Sequence, residues 1–96
     1  MVTIDDLQFH PQAHGGIGAV LKTKSKITIS IQAGQGLYST PRKDGLEQES
    51  YSAFEIALFN ARGNFVTHKF INSGTDSVAG WVPRSVINNI IYQLER

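Results

Sequence analysis

Ninety-six residues with a mass of 10.6 kDa suffice for one hydrophobic core and not for two. Apolar residues make up 41% and charged residues 18%, which excludes the low-hydrophobicity, high-charge regime of disordered chains. Nine basic against eight acidic side chains leave +1, with neither the basic excess of a non-specific nucleic-acid binder nor the acidic excess of a DNA mimic.

The lack of cysteine excludes disulfides, thiolate zinc sites and cysteine nucleophiles. With no long apolar run and no signal-peptide core, the sequence reads as that of a cytosolic protein.

Residues 1–18 carry Asp5, Asp6, Pro11, Gly15, Gly16 and Gly18, a density of breakers that leaves room only for a short strand around Leu7 to His10. This segment reads as an arm. In Ile27-Thr28-Ile29-Ser30-Ile31-Gln32 the alternation is strict, so the isoleucines share a buried face and the polar residues the other. The short polar Thr23-Lys24-Ser25 makes this strand the hairpin partner of Ala19 to Lys22.

Gly34 to Ser50 shows neither hydrophobic period and is long enough to be read as a functional loop. Tyr51 to Asn60 places Phe54, Ile56 and Leu58 on one face and Ala53, Glu55, Ala57 and Phe59 on the other, as a central strand does. Asn60-Ala61-Arg62-Gly63 fits a type I turn, and Asn64 to Ile71 is expected to return antiparallel. The polar connection Asn72 to Ser77 leads to Val78-Ala79-Gly80-Trp81-Val82. Trp81 is expected to plug the core where the helix meets the sheet.

Pro83 suits a first helical position, leaving Val82 where a polar cap would normally stand. Val86, Ile87, Ile90, Ile91 and Leu94 then form one stripe at helical spacing. The expected fold is α+β: a four- or five-stranded antiparallel sheet with one C-terminal amphipathic helix packed on one face. The domain is single, 1–96, with arm 1–18, loop 34–50 and helix 83–96.

Candidate chemistry is sparse. His10 and His14 stand four apart, but Pro11, Gly15 and Gly16 deny them a helix, so no metal site is expected. Gly34-x-Gly36 lacks a third glycine and a following helix, so the dinucleotide fingerprint fails. No motif sets a serine on a strained turn, and Glu47, Glu49 and Glu55 read as solvated rather than as a paired acid and base. No catalytic residue, cofactor or enzymatic activity is assigned.

Charge placement says more than net charge. Lys22, Lys24 and Lys26 gather at one hairpin tip, and Tyr38, Ser39, Thr40, Arg42 and Lys43 bring a ring, two hydroxyls and two cations together. Such a set can grip a phosphate or a nucleotide by stacking and charge-assisted bonds. Basic residues on a hairpin tip can equally be ordinary solvation of a sheet edge. Tyr92 falls opposite the helix's apolar stripe and is expected to be exposed, as a partner contact.

The order Gly15-Gly16-Ile17-Gly18-Ala19, Ile27 to Ile31, Gly36-Leu37-Tyr38, Phe54-Glu55-Ile56-Ala57-Leu58 and Asp76-Ser77-Val78-Ala79-Gly80-Trp81 before a Pro-started helix resembles a group of small uncharacterised bacteriophage accessory proteins. It departs from that group's pattern at Ser77, at Val82-Pro83 and at Arg84-Ser85. The resemblance implies a phage protein acting in the host bacterial cytoplasm as a non-enzymatic, anti-CRISPR-like inhibitor that binds a bacterial defence protein.

The alternative is an oligomeric sponge that sequesters a signalling nucleotide through the Tyr, Arg and Lys residues of the loop. Neither reading calls for a membrane or a sequence-specific nucleic acid. A homodimer is expected through the face bearing Ala57 and Phe59. In the competing arrangement Leu7 and Phe9 of the arm fold over that face and complete a monomer.

Overall fold

The computed structural model describes residues 1–74 and 76–96. Five strands form one antiparallel meander: β1 (His10–Pro11), β2 (Ile17–Lys22), β3 (Thr28–Ala33), β4 (Ala53–Phe59) and β5 (Ala79–Pro83), in that spatial order. One helix, α1 (Arg84–Leu94), follows β5 directly, and short 3-10 turns occur at Ile4–Asp6, Gln48–Ser50 and Thr67–Lys69. The α+β architecture read from the periodicities is the one observed.

The register sorts side chains cleanly between two faces. Leu21, Ile29 and Leu58 form one cross-strand row and Ala19, Ile31 and Ile56 the next, and α1 lays Ile87, Ile90, Ile91 and Leu94 on the same side. Phe54, Ile56, Leu58, Ile29, Ile31, Ile87 and Ile91 are essentially solvent-free. Burial of this kind stabilises by about 1.5–3 kcal/mol per large side chain.

The C-terminus of α1 is secured by a distant part of the chain, where the β2–β3 hairpin tip takes the orphan carbonyl of Leu94. Ser25 donates its N–H (3.1 Å) and its hydroxyl (2.7 Å) to the Leu94 carbonyl, and the Lys24 N–H donates to the Glu95 carboxylate (2.7 Å). At its N-terminus Pro83 occupies the cap position with extended backbone (φ −66°, ψ 156°) and no side-chain cap. The helix therefore starts one residue later than expected, and Val82, paired with Phe54, is a buried core residue.

The arm packs on the helix side of the sheet. Fully buried Ile4 donates its N–H to Asn88 Oδ1 (2.8 Å), Phe9 lies 5.7 Å from the Phe54 ring, and Arg84 pairs with Asp5 at 2.9 Å. Arg84 also donates Nε to the Tyr51 carbonyl (2.9 Å) and Nη2 to the Gln48 carbonyl. The arrangement in which Leu7 and Phe9 cover the opposite face is therefore not adopted.

The strand expected over Asn64–Ile71 is reduced to a single bridge, Phe59 to Phe65, followed by the Thr67–Lys69 turn. Thr67 is the physical cause. Its buried Oγ1 accepts the Leu58 N–H (3.0 Å) and donates to the Ser77 carbonyl (2.6 Å), so a side chain takes the ladder position a backbone carbonyl would hold. The Asn60 turn is as expected, with Gly63 at φ +83° and its N–H on the Asn60 carbonyl (2.9 Å). In the connection 72–77, Thr75 lies outside the described residues.

Candidate functional site: the open sheet face

With α1 and the arm's Ile4 and Phe9 on one side, the other side of the sheet is left open, with the arm's Gln8, His10 and Gln12 at its β1 edge. Its three rows are Lys22-Thr28-Phe59, Val20-Ser30-Ala57 and Gly18-Gln32-Glu55. A groove of about 410 Å³ runs from Gln8, His10 and Gln12 to Ser30 and Gln32. A second hollow continues past those two residues to Ala57, Phe65 and Val78. Glu55 and Phe59 stand four residues apart on β4, about 13 Å along the strand, and each end of the face carries an aromatic pair.

At the Glu55 end a β-bulge builds the pair. Phe54 faces Val82 and Ile56 faces Ala79, so Gly80 and Trp81 together oppose Glu55. Trp81 adopts φ +52°, a left-handed conformation unusual for a bulky side chain. The residue is held 52% exposed, with its ring 4.8 Å from the ring of Tyr38. The expectation that Trp81 plugs the core is therefore corrected: Val82 takes the inward position, and the bulge turns Trp81 outward.

Tyr38 is fixed from several directions. Its carbonyl accepts the Trp81 N–H (2.8 Å), its own N–H donates to Glu55 Oε1 (3.2 Å), and the Arg42 guanidinium lies 5.4 Å from its ring centre. Gly80 makes room for it, since a Cβ there would stand 2.6 Å from the Tyr38 Cβ. At the far end Phe59 and Phe65 pack with ring centres 4.6 Å apart.

The residues singled out in the sequence fall in separate places. Tyr38 and Arg42 stand at the Glu55 end, with Thr40 bridged to Ala53 and Lys43 beside Tyr51; Lys22, Lys24 and Lys26 belong to the Phe59 end and the hairpin tip; exposed Tyr92 lies on α1, with the Arg96 guanidinium 5.7 Å from its ring. Of the loop residues named for a nucleotide sponge, Tyr38 and Arg42 lie together.

Ser39 is buried, accepting the Gly34 N–H (3.1 Å) and donating to the Pro41 carbonyl (2.9 Å), so its hydroxyl holds the loop and offers nothing to a ligand. Thr40 bridges backbone to backbone with Ala53, and the Lys43 carbonyl accepts the Tyr51 phenol. The 34–50 loop is thereby stitched to the domain. Asp44 adds to this by accepting the Gln35 N–H (2.8 Å).

Three cations lie at the ends of the face, Lys22 and Lys26 beside Phe59 and Arg42 over Tyr38, with Glu55 beneath Tyr38, while Asp5 and Glu95 are engaged at the two ends of α1. Burial pushes the Tyr51 phenol up from its ordinary value, a hydrogen bond with the Leu46 backbone opposes this, and the Asp44 charge adds to it. His14 Nδ1 accepts the Gly16 N–H (3.0 Å). Among the described residues no three His, Asp or Glu side chains gather as metal ligands, and no helix is long and apolar enough to cross a membrane.

Sequence reasoning missed Trp81 and Phe65. The available signal for Trp81 was a glycine beside a tryptophan in a strand, which marks a bulge. No protein-family model, curated protein or solved structure matches this chain.

Proposed function

We propose that this chain is a non-enzymatic binding protein whose open sheet face docks a protein partner through Trp81, Tyr38 and Arg42. The observation that carries the reading is Trp81, held half-exposed in a left-handed conformation. Such strain costs about 1–3 kcal/mol and clusters where function requires it. Trp, Tyr and Arg are also the residue types that dominate binding energy at protein interfaces.

The cationic excess of the face favours an acidic patch on the partner over a second copy of the same face, because like-charged surfaces oppose each other on approach. The resemblance to phage accessory proteins makes a bacterial defence component, met in the host cytoplasm, the partner class to test first.

The test immobilises the parent protein and its Trp81→Ala, Arg42→Ala and Lys24→Ala variants and identifies the proteins captured from a bacterial lysate. A partner retained by the parent and by Lys24→Ala should be lost from Trp81→Ala, whose affinity is expected to fall about 30-fold or more, as for a 2 kcal/mol hot spot. Equal capture by all four proteins refutes the assignment of this face.

A further inference from the structure

We propose that the hollow between the β2–β3 tip and the turn after β4 binds a nucleoside phosphate, its phosphate between Lys22 and Lys26 and its planar ring against Phe59. The site is distinct from the Trp81 cluster and does not rest on it.

The hollow measures about 490 Å³ and is lined by Lys22, Lys26, Thr28, Phe59, Asn60 and neighbouring backbone, within the size range of small-molecule sites. Its floor is one cross-strand row, Lys22-Thr28-Phe59. A lysine, a threonine and a phenylalanine therefore stand side by side on adjacent strands whose backbones are about 4.8 Å apart.

Phe59 is propped by Phe65 at 4.6 Å, which fixes the ring as a stacking wall. Among the described residues no carboxylate lies within ion-pair distance of Lys22 or Lys26, so two exposed cations flank an aromatic floor with no internal counter-charge.

Lys26 supplies an independent observation. Its backbone sits at φ +64° while its N–H closes the turn onto the Thr23 carbonyl (3.0 Å). That conformation favours Gly or Asn, and an L side chain resists it. A lysine kept where glycine would fold more easily is accounted for if its ammonium is used. Two ammonium groups and the Thr28 hydroxyl make charge-assisted bonds to phosphate oxygens, and stacking on an aromatic ring accepts any nucleobase.

The experiment titrates the ¹⁵N-labelled protein with AMP, adenosine and inorganic phosphate and follows the amide signals by NMR. AMP should move Lys22, Lys26, Thr28 and Phe59 and bind at least ten times more tightly than adenosine or phosphate. Lys26→Gly should melt about 2–6 °C higher, as relief of left-handed strain in a small domain does, yet bind AMP at least five times more weakly. Trp81→Ala should bind AMP as the parent does.

A single-stranded hexa-adenylate arm identifies the source of the nucleotide: tighter binding than AMP assigns the site to a strand, equal binding to a free nucleotide. AMP that leaves these signals unmoved at millimolar concentration overturns the proposal. So does phosphate binding as tightly as AMP, or a Lys26→Gly protein with undiminished affinity.

Discussion

Replacing Trp81 by alanine and by glycine separates what the side chain contributes from what its backbone costs. Trp81 is 52% exposed, so a ring of about 250 Å² hides roughly 120 Å². At about 25 cal/mol per Å² that is some 3 kcal/mol, an upper figure because the unfolded chain hides part of the same surface. Loss of the stack on Tyr38 adds about 0.5–1.5 kcal/mol. Both replacements forfeit these contributions alike.

They differ in the backbone. In an ordinary strand glycine is about 0.5–1 kcal/mol worse than alanine. At φ +52° alanine bears a left-handed penalty of about 1–2 kcal/mol that glycine escapes. The usual order therefore inverts, and Trp81→Gly should be more stable than Trp81→Ala by about 0.5–1 kcal/mol. For a domain of this size that is a melting temperature roughly 3–6 °C higher. Thermal unfolding followed by circular dichroism reads the difference directly. An alanine variant as stable as the glycine variant, or more so, refutes the left-handed Trp81 and with it the strain argument for the site.

Three further outcomes test the scaffold. Ile90→Asp should leave the chain unfolded by circular dichroism, since it sets a carboxylate against the buried face of the sheet at a cost of several kcal/mol; a melting temperature within a degree or two of the parent sinks the packing of α1. Gly80→Ala should destabilise by about 1–3 kcal/mol and shift the Trp81 fluorescence, because its Cβ would meet the Tyr38 Cβ at 2.6 Å, an atom close to backbone that cannot swing clear; an unchanged spectrum argues against the stack.

The Tyr51 phenol is raised above its ordinary value of 10.0, so the native state holds its proton more tightly than the unfolded chain does. Its contribution is complete below about pH 10 and is lost as pH rises through the native value. Tyr51→Phe should lower stability at neutral pH by about 1–3 kcal/mol, leaving the Lys43 carbonyl unpaired. It should also flatten the alkaline loss, measured as urea midpoints between about pH 8 and 11; an equally steep loss in the variant removes Tyr51 as its cause.

The parts of the fold that sequence periodicity reveals are those where one face must meet a core. Ile29, Ile31, Phe54, Ile56 and Leu58 are buried as their alternation requires, and Ile87, Ile90, Ile91 and Leu94 as their helical spacing requires. Ile27 is only half-buried because it leaves the left-handed Lys26 turn before the ladder begins. Thr67 standing in for a ladder carbonyl, Asn88 receiving Ile4 and Ser25 capping α1 across the molecule are pairings between distant positions, and a local pattern does not carry them. The same holds for the candidate site. Tyr38 and Arg42 were legible as a cluster, but their alignment with Trp81 depends on a bulge that only the β4–β5 register discloses.

The placement of the arm decides what the sheet has left to offer. Ile4 and Phe9 complete the core beside α1 and Arg84 ties down Asp5 and Gln48, so the apolar residues that could have covered the second face are spent on the first. On that second face the middle row is Val20, Ser30 and Ala57, small enough to leave the two aromatic ends about 13 Å apart with a shallow floor between them. A partner anchored on Trp81 and Tyr38 and a nucleotide seated at Phe59 and Lys22 therefore meet different residues of one surface. Binding at one end leaves the other physically accessible unless the partner spans the floor, in which case AMP would compete with it. Competition by AMP against the captured partner thus measures how far along the sheet that partner reaches.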